Sequence, residues 1–284
     1  MVKFIGILSQ VISEQKRHKF DPETYAHINK IVDKLWNDRK KVYKGKTRID
    51  ALPITLKNGV KGLVDVRVNP RLPYLGFMGT TPKDSRDPSE MYIEVNPKHY
   101  ESKKNLYLTV YHELIHAIDP TQTTHFSPKY MLTYSEKDDT KYWGHPIEFF
   151  AITNEFLEGL ILEFKRRADR IRNEDNRKFL HKALNNLIGY FSKGEKLTKY
   201  TKDILYKIND EHVEEGAITQ LLDKIISDNP QVAEFISENP EDTPYYLHYV
   251  ELIKKFNPKI WRRFLTMLYK SKEEIEDVIN KKGV

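Results

Sequence analysis

The spacing of apolar residues predicts two helices at the beginning of the chain. An amphipathic pattern over residues 4–19 predicts the first helix. The second is predicted over 21–40, where Asp21 is a favourable N-cap residue and Pro22 suits the first helical position. The apolar patch in 4–19 is interrupted by polar residues and no small-residue cleavage pattern follows it, so we interpret it as a helix and not as a signal peptide.

A β-hairpin is predicted next, centred on Asn58-Gly59, the preferred two-residue turn between antiparallel strands. The predicted strands are 54–57 and 60–68. In the second strand three valines alternate with polar residues, so one face is predicted to lie on a core; these are Val64, Val66 and Val68.

The residues after the hairpin interrupt regular structure. Residues 69–90 contain four prolines and two glycines, which predicts an irregular loop. A short strand is predicted over 91–96, because apolar and polar residues alternate there until Pro97.

The pattern then changes to the helical period. A helix is predicted over 104–118, with an apolar stripe made of Leu108, Tyr111, Ile115 and Ile118. A polar loop over 119–145 follows, and Pro146 begins a helix that reaches about Arg172. We expect the loop, which is long for a compact domain, to form a wall or lid facing a substrate.

Every later segment has helical character, with breaks at three Asn-Pro pairs. The predicted helices are 175–192, 199–208, 212–227, 230–237, 244–255 and 258–280. The predicted fold class is therefore α+β, with a small mixed sheet and helices in 1–165, followed by an all-helical region in 166–284.

Composition limits the kinds of site and partner. Of the 284 residues 39% are hydrophobic and none is cysteine, so any metal must be held by His, Asp or Glu. No apolar run is long enough to cross a membrane, and we expect a cytoplasmic or virion-associated protein. The net charge is +6, but basic and acidic residues are interleaved in the densest stretches, 40–48 and 165–182. This favours solvated helix faces over a nucleic-acid partner.

The predicted helix over 104–118 contains the residues that could bind a metal and act on a substrate. It contains His112-Glu113-Leu-Ile-His116, and two histidines four residues apart project from one helix face, where their rings can bind one ion. Glu113 flanks that face and can take a proton from a water on the metal. The arrangement is typical of zincins, so we expect a zinc-dependent hydrolase.

A catalytic zinc needs a third protein ligand. A third histidine six residues after His116 is absent, because residue 122 is Gln. Glu148 is the strongest candidate, since it is the third residue of an apolar helix, where a carboxylate needs a charged partner. Asp119 and Glu155 are candidates to accept a hydrogen bond from an imidazole N–H of a ligand. Glu155 is also a fallback ligand, and two loop histidines are further candidate ligands, His125 and His145.

Residues 111–156 resemble a family of zinc peptidases. His112-Glu-Leu-Ile-His-Ala-Ile-Asp119, followed by Glu148-Phe-Phe-Ala151, is similar to the gluzincins and, within them, to the anthrax lethal factor-like and Pro-Pro endopeptidase group. The resemblance implies a zincin-like catalytic domain that hydrolyses protein or peptide substrates. It implies zinc ligands at His112, His116 and Glu148, with Glu113 as the general base.

The resemblance also implies a tyrosine that stabilises the transition state. Tyr142 takes that role, with Tyr130 and Tyr134 as alternatives. By analogy with zincins, an extended substrate is expected to pair with the strand over 91–96.

Three other functions remain compatible with the sequence. The first is a zincin fold with a structural metal or lost activity. The second is a virion-associated or nucleic-acid-associated protein with a basic surface; membership of a more distant zincin group, including phage-borne ones, is also compatible with the motif. The third is hydrolysis of a non-peptide amide at the same site.

Overall fold

The structure is a computed structural model that describes most of the chain. It describes residues 19–55, 61–72, 76–80, 91–100, 102–118, 146–171, 174–208, 254 and 258–281; for residues 76–80, 118, 146–149 and 258–260 it describes the backbone alone. These residues form two compact units. The first, the sheet unit, holds the described residues between 19 and 155, and the second, the helical unit, holds those from 156 to 208 and from 254 to 281.

A four-stranded mixed sheet organises the sheet unit. Its strands are β1 (Thr47–Thr55), β2 (Lys61–Val68), β3 (Gly76–Thr80) and β4 (Met91–Val95), and their order across the sheet is β1-β2-β4-β3. β1 and β2 are antiparallel, as are β3 and β4, whereas β2 and β4 run parallel. The predicted hairpin is confirmed, although β1 begins earlier than expected and the Asn58-Gly59 turn lies outside the described residues.

One face of the sheet is buried and contributes the hydrophobic core of the sheet unit. The three valines predicted to share a face of β2 are buried, and Ile93 and Val95 of β4 lie beside them in register. Because strand residues alternate between faces, Asp65, Arg67 and Glu94 lie on the opposite face. There Arg67 donates a hydrogen bond to Asp65, and Asn69 donates one to the buried Glu94 carboxylate at 2.7 Å.

The prediction of an irregular loop throughout 69–90 was wrong. Residues 76–80 form β3, which pairs with all five residues of β4. Gly76 and Gly79 suppress the local strand signal, and the pairing that makes this segment a strand is supplied by a distant part of the chain. Residues 81–90 lie outside the described part.

The prediction that substrate pairs with the strand over 91–96 was also wrong. β4 is an inner strand, hydrogen-bonded to β2 on one side and to β3 on the other. Its backbone groups are therefore already paired, and an extended peptide could add only to an edge strand such as β3.

Two helices cover the core face. α1 (Pro22–Asn37) begins as predicted, with the Asp21 carboxylate accepting a hydrogen bond from the Thr24 backbone N–H at 2.8 Å. That hydrogen bond lowers the pKa of Asp21 below its ordinary value. α2 (Lys103–Ile118) follows β4 and packs against β3 and β4. The ring of Phe20 meets that of Tyr111 edge to face, with centroids 5.4 Å apart.

The helical unit is built from the remaining helices. α3 (Pro146–Ala168) begins in the sheet unit and ends in the helical unit, followed by α4 (Glu174–Lys193), α5 (Lys199–Ile208) and α6 (Pro258–Asn280). The bounds of α5 and α6 confirm the predictions, and α4 differs by one residue at each end. Apart from residues 19 and 254, the helices predicted over 4–19, 212–227, 230–237 and 244–255 and the loop over 119–145 lie outside the described residues.

An aromatic cluster fills the core of the helical unit. Phe191 of α4 contacts Phe156 of α3 and Phe264 of α6, with ring centroids 6.1 and 5.3 Å apart. Trp261 stacks on Phe264 at 5.3 Å. α4 ends at Gly194, whose φ of 72° favours glycine because it has no Cβ.

The fold class of the described residues is thus α+β, as predicted. The compact units divide between residues 155 and 156, inside α3, whereas the composition had suggested a boundary between 165 and 166. Among the described helices, none is both long and apolar enough to cross a membrane.

Candidate metal centre

Helix α2 is buried on nearly its whole circumference. The four residues predicted as an apolar stripe include Leu108, Tyr111 and Ile115, all of which are buried, whereas the side chain of Ile118 is not described. The burial extends further than predicted, to Leu106, Tyr107, Val110, Leu114 and Ala117. Such a helix is fixed by packing and has little freedom to rotate.

One partly open stripe remains along α2. From residue 105 to 117, four residues are neither buried nor fully exposed, namely Asn105, Thr109, His112 and His116. Their spacing of four, three and four residues places them on one helix face. Both motif histidines therefore lie on the stripe of the helix that packing leaves accessible.

The two imidazole rings meet at their Nε2 atoms. His112 Nε2 and His116 Nε2 are 3.0 Å apart, and the ring centroids are 4.7 Å apart with the planes at 77°. Two nitrogens that bind one tetrahedral zinc at 2.0–2.1 Å are about 3.3 Å from each other. The two nitrogens thus have nearly the separation that a shared ion requires, and a small rotation of either ring supplies the rest.

Glu155 of α3 determines which nitrogen of His112 faces the partner ring. Its Oε2 lies 2.8 Å from His112 Nδ1, and the two side chains are only 17% and 15% exposed. A carboxylate can only accept, so His112 Nδ1 carries a hydrogen and donates it. The neutral ring then has its lone pair on Nε2, the atom that faces His116, as a metal ligand requires.

Glu113 lies beside the open stripe and is 9% exposed. It follows His112 directly and precedes His116 by three residues, so its carboxylate flanks the face that carries both rings. A carboxylate beside that face, and not on it, suits a proton acceptor better than a ligand.

The remaining candidate residues are only partly placed. Glu148 lies in the first turn of α3, two turns before Glu155, and its side chain is not described. The other candidates lie outside the described residues: Asp119, His125, Tyr130, Tyr134, Tyr142 and His145. Within the described part of the chain, no group of three or more His, Asp or Glu residues is close enough together to hold a metal. The identity of a third ligand therefore stays a prediction.

Comparison with known families, sequences and structures does not assign the chain to a family. No protein-family model, curated protein or solved structure matches it. What can be said about function depends on the motif and its geometry.

From the sequence, Glu155 could be either a metal ligand or an acceptor of a hydrogen bond from a ligand's imidazole N–H. In the structure its carboxylate meets Nδ1 of His112, on the side of the ring away from Nε2. That contact suits an acceptor that orients the ring. A signal for it exists in the sequence, because Glu155 follows Glu148 by seven residues and so shares a face of α3 with it.

Proposed function

We propose that the chain is a zinc-dependent peptidase whose metal is held by His112 and His116. The observation that supports this most strongly is the convergence of the two Nε2 atoms, 3.0 Å apart, on the accessible stripe of an otherwise buried helix. The hydrogen bond to Glu155 adds to it, since it gives His112 the tautomer of a ligand.

Glu148 completes the proposed ligand set. Two histidines alone leave the usual three-ligand site short by one. Glu148 lies in the first turn of α3, the helix that brings Glu155 to His112. Glu148 matches the position of the third zinc ligand in the gluzincin motif, which favours it over the other candidates, Asp119, His125 and His145. The fold expected for such a site is zincin-like, and the mixed sheet packed against the motif helix is compatible with it.

The proposed mechanism divides the proton transfers and charge stabilisation among residues of this chain. Zinc, when bound, would lower the pKa of a coordinated water and polarise the substrate carbonyl. Glu113 takes a proton from that water as it attacks and returns the proton to the leaving amine. Glu155 holds His112 in place through the Nδ1 hydrogen bond, and Tyr142 donates a hydrogen bond to the developing oxyanion.

Hydrolysis of a mixed peptide library, followed by mass spectrometry, tests the proposal. The wild-type protein is expected to cleave some members of the library, to stop when a zinc chelator is added, and to recover when zinc is restored. The His27→Ala variant is a matched control, because His27 is an exposed histidine on α1 whose ring contacts the Glu23 carbonyl; it should cleave at the wild-type rate. Cleavage that continues unchanged in the chelator would contradict a metal mechanism.

A further inference from the structure

The positive charge of the chain is concentrated in one segment. Residues 156–208 contain 13 Lys and Arg and 7 Asp and Glu, a net charge of +6, which equals the net charge of all 284 residues. The rest of the chain is therefore neutral in sum. This segment makes up the end of α3, α4 and α5 of the helical unit.

An exposed and a half-buried aromatic ring lie among these charges and contact each other. Phe179 of α4 is 57% exposed, and its ring meets that of Tyr200 of α5 edge to face, with centroids 5.9 Å apart. The ammonium of Lys182 lies 5.9 Å from the Phe179 ring, and the guanidinium of Arg167 lies 5.0 Å from the Tyr200 ring. The result is a continuous row of cation, ring, ring and cation across three helices.

Arg167 is the fixed end of this row. Its guanidinium donates to the buried Glu163 carboxylate and to Asp203, both at 2.7 Å. Tyr200 is thereby held against an immobile cation, and Phe179 is held against Tyr200. A ring supported in this way loses little further freedom when a ligand stacks on it.

Lysines extend the row along two helices. Exposed lysines within three residues of Phe179 or Tyr200 in the sequence are Lys178, Lys182, Lys199 and Lys202, and Tyr206 lies one turn after Lys202. Two exposed carboxylates, Asp175 and Asp203, lie within four residues of the rings. Three acidic side chains of the segment are each paired with a base, Asp175 with Lys178, Glu195 with Lys193 and Asp203 with Arg167. Among the described residues, Lys182, Lys199 and Lys202 have no carboxylate within ion-pair distance. We call the four lysines and Tyr206, together with Phe179 and Tyr200, the aromatic–lysine face.

We propose that the aromatic–lysine face binds single-stranded nucleic acid. Lysines supply contacts to the phosphates, and an exposed ring supplies a surface on which an unpaired base stacks. Phe179 projects from the outside of a helix, so it can reach a base only when that base is not paired within a duplex. The interleaved acids favoured an ordinary solvated face from sequence alone. What distinguishes this face is that the exposed Phe179 ring contacts both a second ring and a lysine ammonium.

Fluorescence anisotropy with a labelled oligothymidine tests this proposal on the full-length protein. The wild type is expected to bind at low salt, with an affinity that falls steeply as salt rises. Phe179→Ala should weaken binding by at least about fivefold, whereas Phe179→Trp should retain it, because stacking is sequence-tolerant and needs only a ring. Lys182→Gln should weaken binding and lower the salt dependence.

The controls separate stacking from general charge attraction and from loss of folding. Tyr269→Ala removes another exposed aromatic side chain, on α6, that is no part of the face, and it should bind like the wild type. Thermal unfolding of Phe179→Ala should match the wild type, since the ring is mostly exposed.

Four results would overturn the proposal. They are no wild-type binding at low salt, wild-type affinity in Phe179→Ala, equal affinity for a duplex, and displacement of the oligonucleotide by polyglutamate as effectively as by unlabelled oligothymidine. The last would indicate an acidic protein segment as the partner.

Discussion

Glu113→Gln is expected to lower the rate of peptide hydrolysis by about 10²–10⁴-fold, the range typical for the loss of a general base. Gln has nearly the same shape but cannot take a proton from water. Glu113 lies beside the two histidines and is 9% exposed, so the change should leave their positions intact. Zinc content should therefore equal that of the wild type, and the loss should appear in kcat at saturating substrate.

A second buried glutamate of the sheet unit provides the control. Glu94 is 2% exposed and lies on the face of the sheet away from the core, where Asn69 and Lys46 contact its carboxylate. Glu94→Gln should keep wild-type hydrolysis to within a few fold. Loss of zinc in Glu113→Gln would instead make Glu113 a ligand, and full activity in that variant would exclude it as the base.

Glu163→Gln is expected to destabilise the helical unit by about 2–3 kcal/mol at neutral pH, since charged hydrogen bonds in buried positions contribute strongly. Glu163 is 3% exposed and accepts hydrogen bonds from Arg166 at 2.8 and 2.6 Å and from Arg167 at 2.7 Å. Gln removes the negative charge and turns an NH₂ group toward the two guanidinium groups. Urea unfolding followed by tryptophan fluorescence measures the change, because the half-buried Trp261 stacks on the buried Phe264 of this unit.

The pH dependence of that difference follows from the pKa of Glu163. Burial alone would raise this pKa, but the hydrogen bonds and charges of Arg166 and Arg167 bring it below its ordinary value. A carboxylate with a lowered folded-state pKa stabilises the fold above its unfolded pKa of about 4.3, and the stabilisation is lost as pH falls through the folded-state pKa. The difference between wild type and Glu163→Gln should therefore be full at neutral pH and shrink in acid.

A surface glutamate serves as the matched control for this stability change. Glu276 forms an ion pair with Lys272 at 3.4 Å on α6, and both side chains are 35% exposed. Glu276→Gln should change stability by less than about 0.5 kcal/mol, as is usual for such pairs. A Glu163→Gln difference that is equally small at neutral pH, or that grows in acid, would contradict the role assigned to the buried carboxylate.

The helices were predictable because their signals are local. Pro258 after an asparagine marks the beginning of α6, and Asp21-Pro22 marks that of α1; the structure begins both helices there. Capping and the fixed φ of proline act within a few residues, so they can be recognised without knowledge of the rest of the chain.

β3 and the inner position of β4 were not predictable, because both depend on pairing between segments that are distant in the sequence. Residues 76–80 contain two glycines and have no clear alternation, and they form a strand because residues 91–95 pair with them. Whether a short strand lies at an edge or inside a sheet depends on such pairing between distant segments.

The candidate site was predictable only along one helix. The four-residue spacing of His112 and His116 fixes their common face, and the structure places both on the open stripe of α2. The partnership between His112 and Glu155 depends on how α3 lies against α2. The sequence could place Glu155 on the same face as Glu148 but could not determine which ring atom its carboxylate would meet.

Zinc content of the purified protein, measured by elemental analysis, tests the central claim most directly. We expect about one zinc per chain in the wild type and in His27→Ala. Zinc should be lost in His116→Ala and, with Glu148 as the third ligand, in Glu148→Ala. Retention of zinc in Glu148→Ala alone would move the third ligand to another residue. Absence of zinc from the wild type after reconstitution, or an equal content in His116→Ala, would contradict the metal centre and with it the proposed peptidase.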